Sequence, residues 1–195
     1  MRNLYTLLMA FTLIFVSCDT DKEEYVDLQT KDFNVTAKVQ GKSTPPATCA
    51  EAQIMAGQHY VAGKLYVSLG KNTLLVTYMT VDGWVIDETH MFIGDREDIP
   101  TNGGGMPRIG HFPYKATHDF GTNEVTYSIP LSEVPDCFTV AAHAVVSKLD
   151  DSGTVIGNET AWSQGERIGR NWSMATDFCK SGCKALPEDG PIRRR

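Results

Sequence analysis

The sequence predicts an all-β domain, an antiparallel β-sandwich of immunoglobulin-like or jelly-roll-like type with one long loop rich in glycine and proline. Short segments in which apolar and polar residues alternate recur along the chain, as expected for strands with one buried face. Glycine and proline separate these segments, and no long segment carries an apolar stripe of helical period. Several short strands with turns between them are typical of antiparallel sandwiches.

The first elements lie before residue 94. Residues 35–39 favour a strand, and residues 49–53 favour at most one helical turn. Residues 64–69 alternate, with leucine and valine on one face, which indicates a half-buried strand.

A hairpin is predicted next. Residues 73–81 are rich in β-branched and aromatic side chains, and the turn dipeptide Asp82-Gly83 leads into another apolar segment over 84–93. A tight turn between two such segments predicts two paired strands.

Three further strands are predicted over 124–129, 138–147 and 172–178. The strand over 138–147 has one uniformly apolar face, which predicts that this face lies in the core: Phe138, Val140, Ala142, Ala144 and Val146. Between the strands, residues 94–123 form a long loop with several prolines and a triple glycine. Loops of this length are usually functional, and the aromatic segment 111–114 indicates that part of this one packs on the domain.

The N-terminus has the features of an export signal. Arg2 precedes an apolar run over residues 4–16 that is too short to span a bilayer, which is typical of a secretory signal peptide. The following Cys18 resembles the lipobox cysteine of bacterial lipoproteins, which implies removal of residues 1–17 and a lipid anchor on Cys18.

The acidic segment 19–24 resembles the export signal of Bacteroidota-type lipoproteins. The resemblance implies an acidic tether over 18–32 and an outer-membrane protein that faces the cell exterior; an ordinary solvated linker on the periplasmic face is the alternative. The folded domain is expected over 33–183, and a flexible tail over 184–195.

Charge and cysteine content narrow the function. The net charge of −6 argues against a nucleic-acid partner, which requires a basic face. Besides Cys18, four cysteines remain in an oxidising compartment, so two disulfides are expected, with three connectivities open: Cys49, Cys137, Cys179 and Cys183. If Cys137 opens a strand and Cys179 closes its antiparallel neighbour, those two pair. No C-x-x-C pair supports a zinc site, and we expect no bound metal or cofactor.

The segment 84–93 carries the first candidate binding residues, Trp84, Glu88 and His90, on one face. Both faces of this strand mix polar and apolar residues, so the pattern leaves its orientation open. If the Trp84 face is inward, the Glu and the His are buried and require partners. If it is outward, they form a binding surface flanked by large apolar side chains.

His143 lies opposite the core face of its strand, among small neighbours. It could meet a ligand or a cross-strand partner such as Glu88 or Glu159, although a neutral hydrogen-bonded ring is the commoner fate of a single histidine.

The glycine-punctuated loop over 158–172 adds Glu159, Trp162, Arg167 and Trp172. Acceptors, a guanidinium and two indoles are the composition of a recognition surface, and such a surface suits sugars. The alternative is that the two indoles close the end of the sandwich.

No hydrolase, nucleotide-binding or zinc-protease motif occurs in the sequence. A metal-assisted hydrolase or lyase built from Glu88, His90, His143 and Glu159 remains an alternative, but their spacing matches no known ligand set. We therefore expect no catalytic residues.

Five short segments in this order resemble a β-rich domain of exported bacterial proteins that has no established activity: GQHY at 57–60, ETH at 88–90, HFPY at 111–114, AAHAVV at 141–146 and ETAW at 159–162. The resemblance implies a secreted β-rich domain on a cell surface. We expect a lipid-anchored, non-enzymatic domain that binds an extracellular ligand such as a glycan. A structural accessory lipoprotein of an envelope complex is the third hypothesis, and the oligomeric state is left open.

Overall fold

The computed structural model describes residues 33–39 and 48–183. The expected signal peptide (1–17), the lipidation site Cys18, the tether (18–32) and the C-terminal tail (184–195) lie outside the described residues. The described part is all-β, with short 3₁₀ turns and no α-helix. Its strands are β1 (Asn34–Val39), β2 (Ala50–Ala56), β3 (Tyr60–Leu69), β4 (Thr73–Thr80), β5 (Trp84–Gly94), β6 (Tyr114–Thr117), β7 (Thr122–Pro130), β8 (Cys137–Leu149), β9 (Val155–Ser163), β10 (Glu166–Arg167) and β11 (Met174–Cys179).

All pairing is antiparallel, and the strands form one sheet that nearly closes into a barrel. The hydrogen-bonded path runs through nine strands in the order β1-β7-β4-β3-β2-β9-β8-β11-β10, while β5 pairs with β8 and β6 pairs with β5. The two ends of the sheet meet through aromatic rings: the ring of Tyr114 on β6 lies 5.3 Å from that of Phe33 and 6.5 Å from that of Tyr127 on β7. The antiparallel all-β class is thus confirmed.

We expected two packed sheets, but the strands form one continuous sheet because β8 is long. β8 has 13 residues and pairs with β5 along one edge. Its other edge pairs with β11 near the start of the strand and with β9 farther along. One strand therefore connects segments that a sandwich would divide between two sheets.

The hairpin prediction over 73–93 is wrong in its pairing. The turn itself forms, with the Trp84 amide donating to the Val81 carbonyl at 3.1 Å and Gly83 at a φ of 81°. However, β4 pairs with β3 and β7, and β5 pairs with β6 and β8. Both edges of β4 are occupied, so the exposed turn leads to a strand that lies elsewhere in the sheet.

Four segments also differ from the predictions. The predicted loop over 158–172 contains the end of β9 and the short strand β10. Residues 49–53, expected to form a helical turn, belong largely to β2. The long loop over 94–123 contains the short strand β6 and the start of β7. The last strand begins at Met174, because the residues before it form a turn in which the Ser173 side chain bonds to Asn171 and to the Ile168 carbonyl.

The barrel interior is lined by apolar and tyrosine side chains. The predicted core face of β8 is confirmed, since its five apolar residues all lie in the main buried cluster. The rings of Tyr78, Tyr114 and Tyr127 are fully buried there. Burial raises the pKa of each phenol, that of Tyr127 to about 12, so all three are neutral near pH 7.

A hydrogen-bonded chain crosses the interior at Thr89 on β5. The Thr89 hydroxyl lies 2.7 Å from the Tyr127 hydroxyl on β7 and 2.7 Å from Nε2 of His118. Burial lowers the pKa of His118, against the opposing influence of nearby Asp119 and Asp87. These hydrogen bonds link β5 with β7 and with the residue after β6.

We expect Thr89→Val to lower the free energy of unfolding by about 1–3 kcal/mol, because the change leaves the buried Tyr127 hydroxyl without its partner. Urea denaturation measures the loss. The matched control is Thr77→Val, which removes a hydroxyl 2.9 Å from that of Thr126, a residue that is only partly buried. An equal loss in both variants would show that the Thr89 chain has no special role.

The structure contains the disulfides Cys137–Cys179 and Cys49–Cys183, with Cα–Cα distances of 4.0 and 4.7 Å. Cys137 and Cys179 are direct partners at the start of β8 and the end of β11. The conditional pairing drawn from the strand pattern is therefore confirmed.

Candidate ligand-binding site on the outer face of the sheet

A β-bulge at Asp87 decides the orientation of β5. Ile86 pairs with Val146 and Glu88 with the next residue, Val145, so Asp87 is an extra residue in β5. Strict alternation fails across the bulge. Trp84 and Ile86 lie in the interior cluster, whereas Glu88 and His90 lie on the outer face. Each of the two orientations left open by the sequence is therefore correct for one half of the strand.

A row of rings crosses three neighbouring strands on the outer face. His90 on β5 is the direct partner of His143 on β8, and His143 is the direct partner of Trp162 on β9. The ring centroids of the two histidines lie 5.7 Å apart, and those of His143 and Trp162 lie 5.0 Å apart. The cross-strand partners of His143 are thus His90 and Trp162, and neither Glu88 nor Glu159.

Both imidazoles are neutral near pH 7. Burial, and to a smaller extent the neighbouring His90, lower the pKa of His143 to about 4. Burial also lowers the pKa of His90, where Glu88 acts against the shift and Lys115 adds to it. Nδ1 of each ring is buried and has no hydrogen-bond partner.

A second apolar cluster surrounds this row outside the barrel. Its buried members come from the strands and from the long loop: Phe92, Ile99, Phe112, Ala141, Trp162 and Ala175. Phe112 is 1% exposed, and its ring centroid lies 6.2 Å from those of both Phe92 and Trp162. The prediction that part of the long loop packs on the domain is confirmed. Phe112 holds that loop against the sheet.

The two loops singled out in the sequence meet above this cluster. A Cβ built on Gly169 would lie 2.2 Å from the carbonyl oxygen of Gly105, and Gly169 has a φ of +69°. Only glycine fits such a contact in that conformation. Within the first loop, the Asn102 side chain accepts bonds from the amides of Gly104 and Met106 at 3.0 and 3.1 Å. We call residues 102–111 and 164–173 together the loop platform.

The structure does not bring all the predicted binding residues together. Trp172 is half-buried and Arg167 is exposed, and both belong to the loop platform. His90, His143 and Trp162 lie in the ring row, where Trp162 is only 6% exposed. A ligand in solvent can therefore reach the Trp172 indole, but the Trp162 indole is covered.

The remaining predicted residues lie elsewhere. Trp84 lies at one end of the barrel beside Tyr60, with the Lys148 ammonium 5.2 Å from the tyrosine ring and 5.8 Å from the indole. Glu159 is on the inner face, opposite the side that carries His143, and its carboxylate approaches Gly57. The Glu88, His90, His143 and Glu159 set of the hydrolase hypothesis is thus divided between two faces of the sheet.

Sequence reasoning did not identify three features of this region. The bulge has no signature beyond the mixed faces of its strand. The contact between Gly105 and Gly169 joins residues far apart in sequence, although each lies in a glycine-rich segment. Tyr60, which is 51% exposed beside Trp84, was part of the GQHY segment at 57–60 but was not a candidate binding residue.

In residues 33–39 and 48–183, no three histidine, cysteine, aspartate or glutamate side chains group in a way that could hold a metal ion. In the same residues there is no helix with the length and apolar character needed to cross a bilayer. Comparisons of the chain with protein-family models, curated proteins and solved structures found no match.

Proposed function

We propose that this protein is a lipid-anchored, non-enzymatic surface protein whose β-domain binds an extracellular glycan through the loop platform. The observation that carries the proposal is the backbone contact between Gly105 and Gly169, which joins the two recognition loops into one surface beside Trp172. The nearly closed sheet takes the supporting role that we expected of a sandwich.

The chemistry of the loop platform suits a sugar. The half-buried Trp172 offers an indole face on which the apolar face of a pyranose can stack. Arg167, Arg170 and Asn171 are exposed around it and offer N–H donors for hydroxyl groups, while the Asn171 side-chain oxygen accepts bonds from Ser173.

The floor of the platform supports binding because it is rigid. Phe112 and Trp162 are both buried beneath the loops, and the Ser173 hydroxyl donates to the Ile168 carbonyl at 3.1 Å. Loops that are ordered before a ligand arrives lose less conformational entropy when it binds.

The proposed function includes a location for the protein at the cell surface. The Cys18 lipobox and the acidic segment after it support anchoring at the outer membrane, with the domain outside the cell. The periplasmic face is the alternative, and there an accessory role in an envelope complex would replace glycan binding. A metal-assisted enzyme gains no support, because its four residues do not share a face.

The test is a glycan array probed with the purified full-length lipoprotein in detergent. For a glycan that binds, we expect Trp172→Ala to weaken binding by about tenfold to a hundredfold, as for a central aromatic contact. Arg167→Ala should weaken it less, because this side chain is exposed.

Tyr60→Ala is the matched control, since it removes an exposed ring at the end of the barrel, away from the loop platform. Binding should persist in this variant. Loss of binding in Tyr60→Ala with retention in Trp172→Ala would move the site to the barrel end. If the wild-type protein bound no glycan at all, the accessory role would become the better account.

A further inference from the structure

We propose that His90 and His143 bind one monovalent copper ion between their imidazole rings. The site lies on the outer face of the sheet beneath the loops, and it is independent of glycan binding by Trp172. The proposal rests on the placement of the two rings, on their unpartnered nitrogen atoms and on the character of their surroundings.

The spacing of the rings suits a shared metal. His90 and His143 are direct partners on adjacent strands, and their centroids lie 5.7 Å apart. A metal about 2 Å from one nitrogen of each ring places the two centroids about 5–6.5 Å apart, depending on the angle at the metal. The strands therefore hold the rings at a chelating distance without a change of register.

The nitrogen atoms lack other partners. His143 is only 2% exposed, and Nδ1 of both rings is buried without a hydrogen bond. Leaving a buried acceptor or donor unpaired costs free energy, and such groups in a native protein call for an unseen water or ion. A coordinated metal would satisfy one nitrogen of each ring at the same time.

The surroundings favour a singly charged ion. Both donors are neutral imidazoles, and their neighbours Trp162 and Phe92 are buried and aromatic. Near His90, the Lys115 ammonium, which donates to the Gly110 carbonyl at 2.9 Å, is opposed by the Glu88 carboxylate. The apolar setting penalises a divalent ion more than a monovalent one.

The number of donor side chains also favours monovalent copper. In the described part of the chain, no third histidine, cysteine, aspartate or glutamate joins the pair as a metal ligand. Zinc in proteins is almost always four-coordinate, whereas monovalent copper accepts two ligands, and imidazole is a good copper ligand. The pair is therefore sufficient for Cu(I) and insufficient for a closed zinc site.

The experiment titrates Cu(I) into the purified full-length protein, without oxygen and with ascorbate present, in competition with a coloured Cu(I) chelator. We expect one equivalent of copper per chain, and an X-ray absorption spectrum with two nitrogen neighbours. His90→Gln and His143→Gln should each weaken binding more than the roughly 10–100-fold caused by loss of an outer-sphere partner. His59→Gln, which changes an exposed histidine, should bind as the wild type does.

His90 is only partly buried, so His90→Gln provides a readout if His143→Gln does not fold. Circular dichroism of each variant reports its folding. The proposal is overturned if wild-type protein retains no Cu(I), if both variants retain it equally, or if Zn²⁺ binds at one equivalent and Cu(I) does not.

Discussion

Replacing Cys49 and Cys183 by serine should lower the free energy of unfolding by about 4–5 kcal/mol, one of the largest effects expected for this protein. The bond joins residues 134 positions apart and so encloses most of the folded domain. In the chain-entropy account, a cross-link that closes a longer loop removes more freedom from the unfolded chain. Cys49 directly precedes β2 and Cys183 follows β11, so the bond also ties the C-terminal end of the described domain to the start of β2.

The Cys137→Ser, Cys179→Ser double variant is the matched control. Its bond closes a separation of 42 residues, for which the same account gives about 4 kcal/mol. In urea denaturation, the wild type should be the most stable and the Cys49→Ser, Cys183→Ser variant the least stable. The two double variants should differ by about 1 kcal/mol. No loss in the first variant would mean that the Cys49–Cys183 bond does not contribute to stability.

Phe112→Ala should cost about 3–5 kcal/mol and should act mainly on the outer face. The side chain is 1% exposed and is the aromatic contact between the long loop and the rings of Phe92 and Trp162. Its removal leaves a cavity under the loop platform that neighbouring rings cannot fill without moving. Denaturation measures the global loss, and native-state hydrogen exchange locates it.

We expect faster exchange in the long loop of Phe112→Ala, for example at the Arg108 amide, which donates to the Pro100 carbonyl at 2.8 Å. The amides between β5 and β8 should retain their protection. Phe120→Ala is the control, because this phenylalanine is 59% exposed in the same segment and its loss should change stability by less than about 0.5 kcal/mol. Equal losses in the two variants would contradict the anchoring role of Phe112.

The local sequence pattern was sufficient to predict which face of a strand is buried wherever the strand is regular. The five apolar residues of β8 alternate over a stretch whose pairings, with β11 at its start and with β9 farther along, have no irregularity before Lys148, so the predicted core face is correct. The pattern of β5 could not be resolved in the same way. Its bulge at Asp87 reverses the two faces within one strand, and an alternation rule assumes a constant phase.

Pairing between strands was harder to predict than the strands themselves. The Asp82-Gly83 turn was correctly identified, but the hydrogen bonds of β4 were already taken by β3 and β7. A turn dipeptide specifies a local reversal, whereas the choice of partner depends on all strands that compete for the same edge. The disulfides were predictable only on the condition that two strands were neighbours.

The candidate site also combines features that the local sequence predicts with features that depend on the tertiary structure. Trp172 and Arg167 were recognised by residue type, and the glycine-rich loops by composition. That Trp162 is covered, that Glu159 faces the interior and that His90 meets His143 follow from strand order and register.

The sequence by itself determined the antiparallel β class, most strand positions, the core face of β8 and the residue types available for recognition, because these depend on neighbours a few residues apart. Only the tertiary structure decided that the sheet is continuous and nearly closed, that the loops meet at Gly105 and Gly169, and that two histidines face each other. Those contacts join distant parts of the chain and depend on how all the strands share hydrogen bonds and buried space.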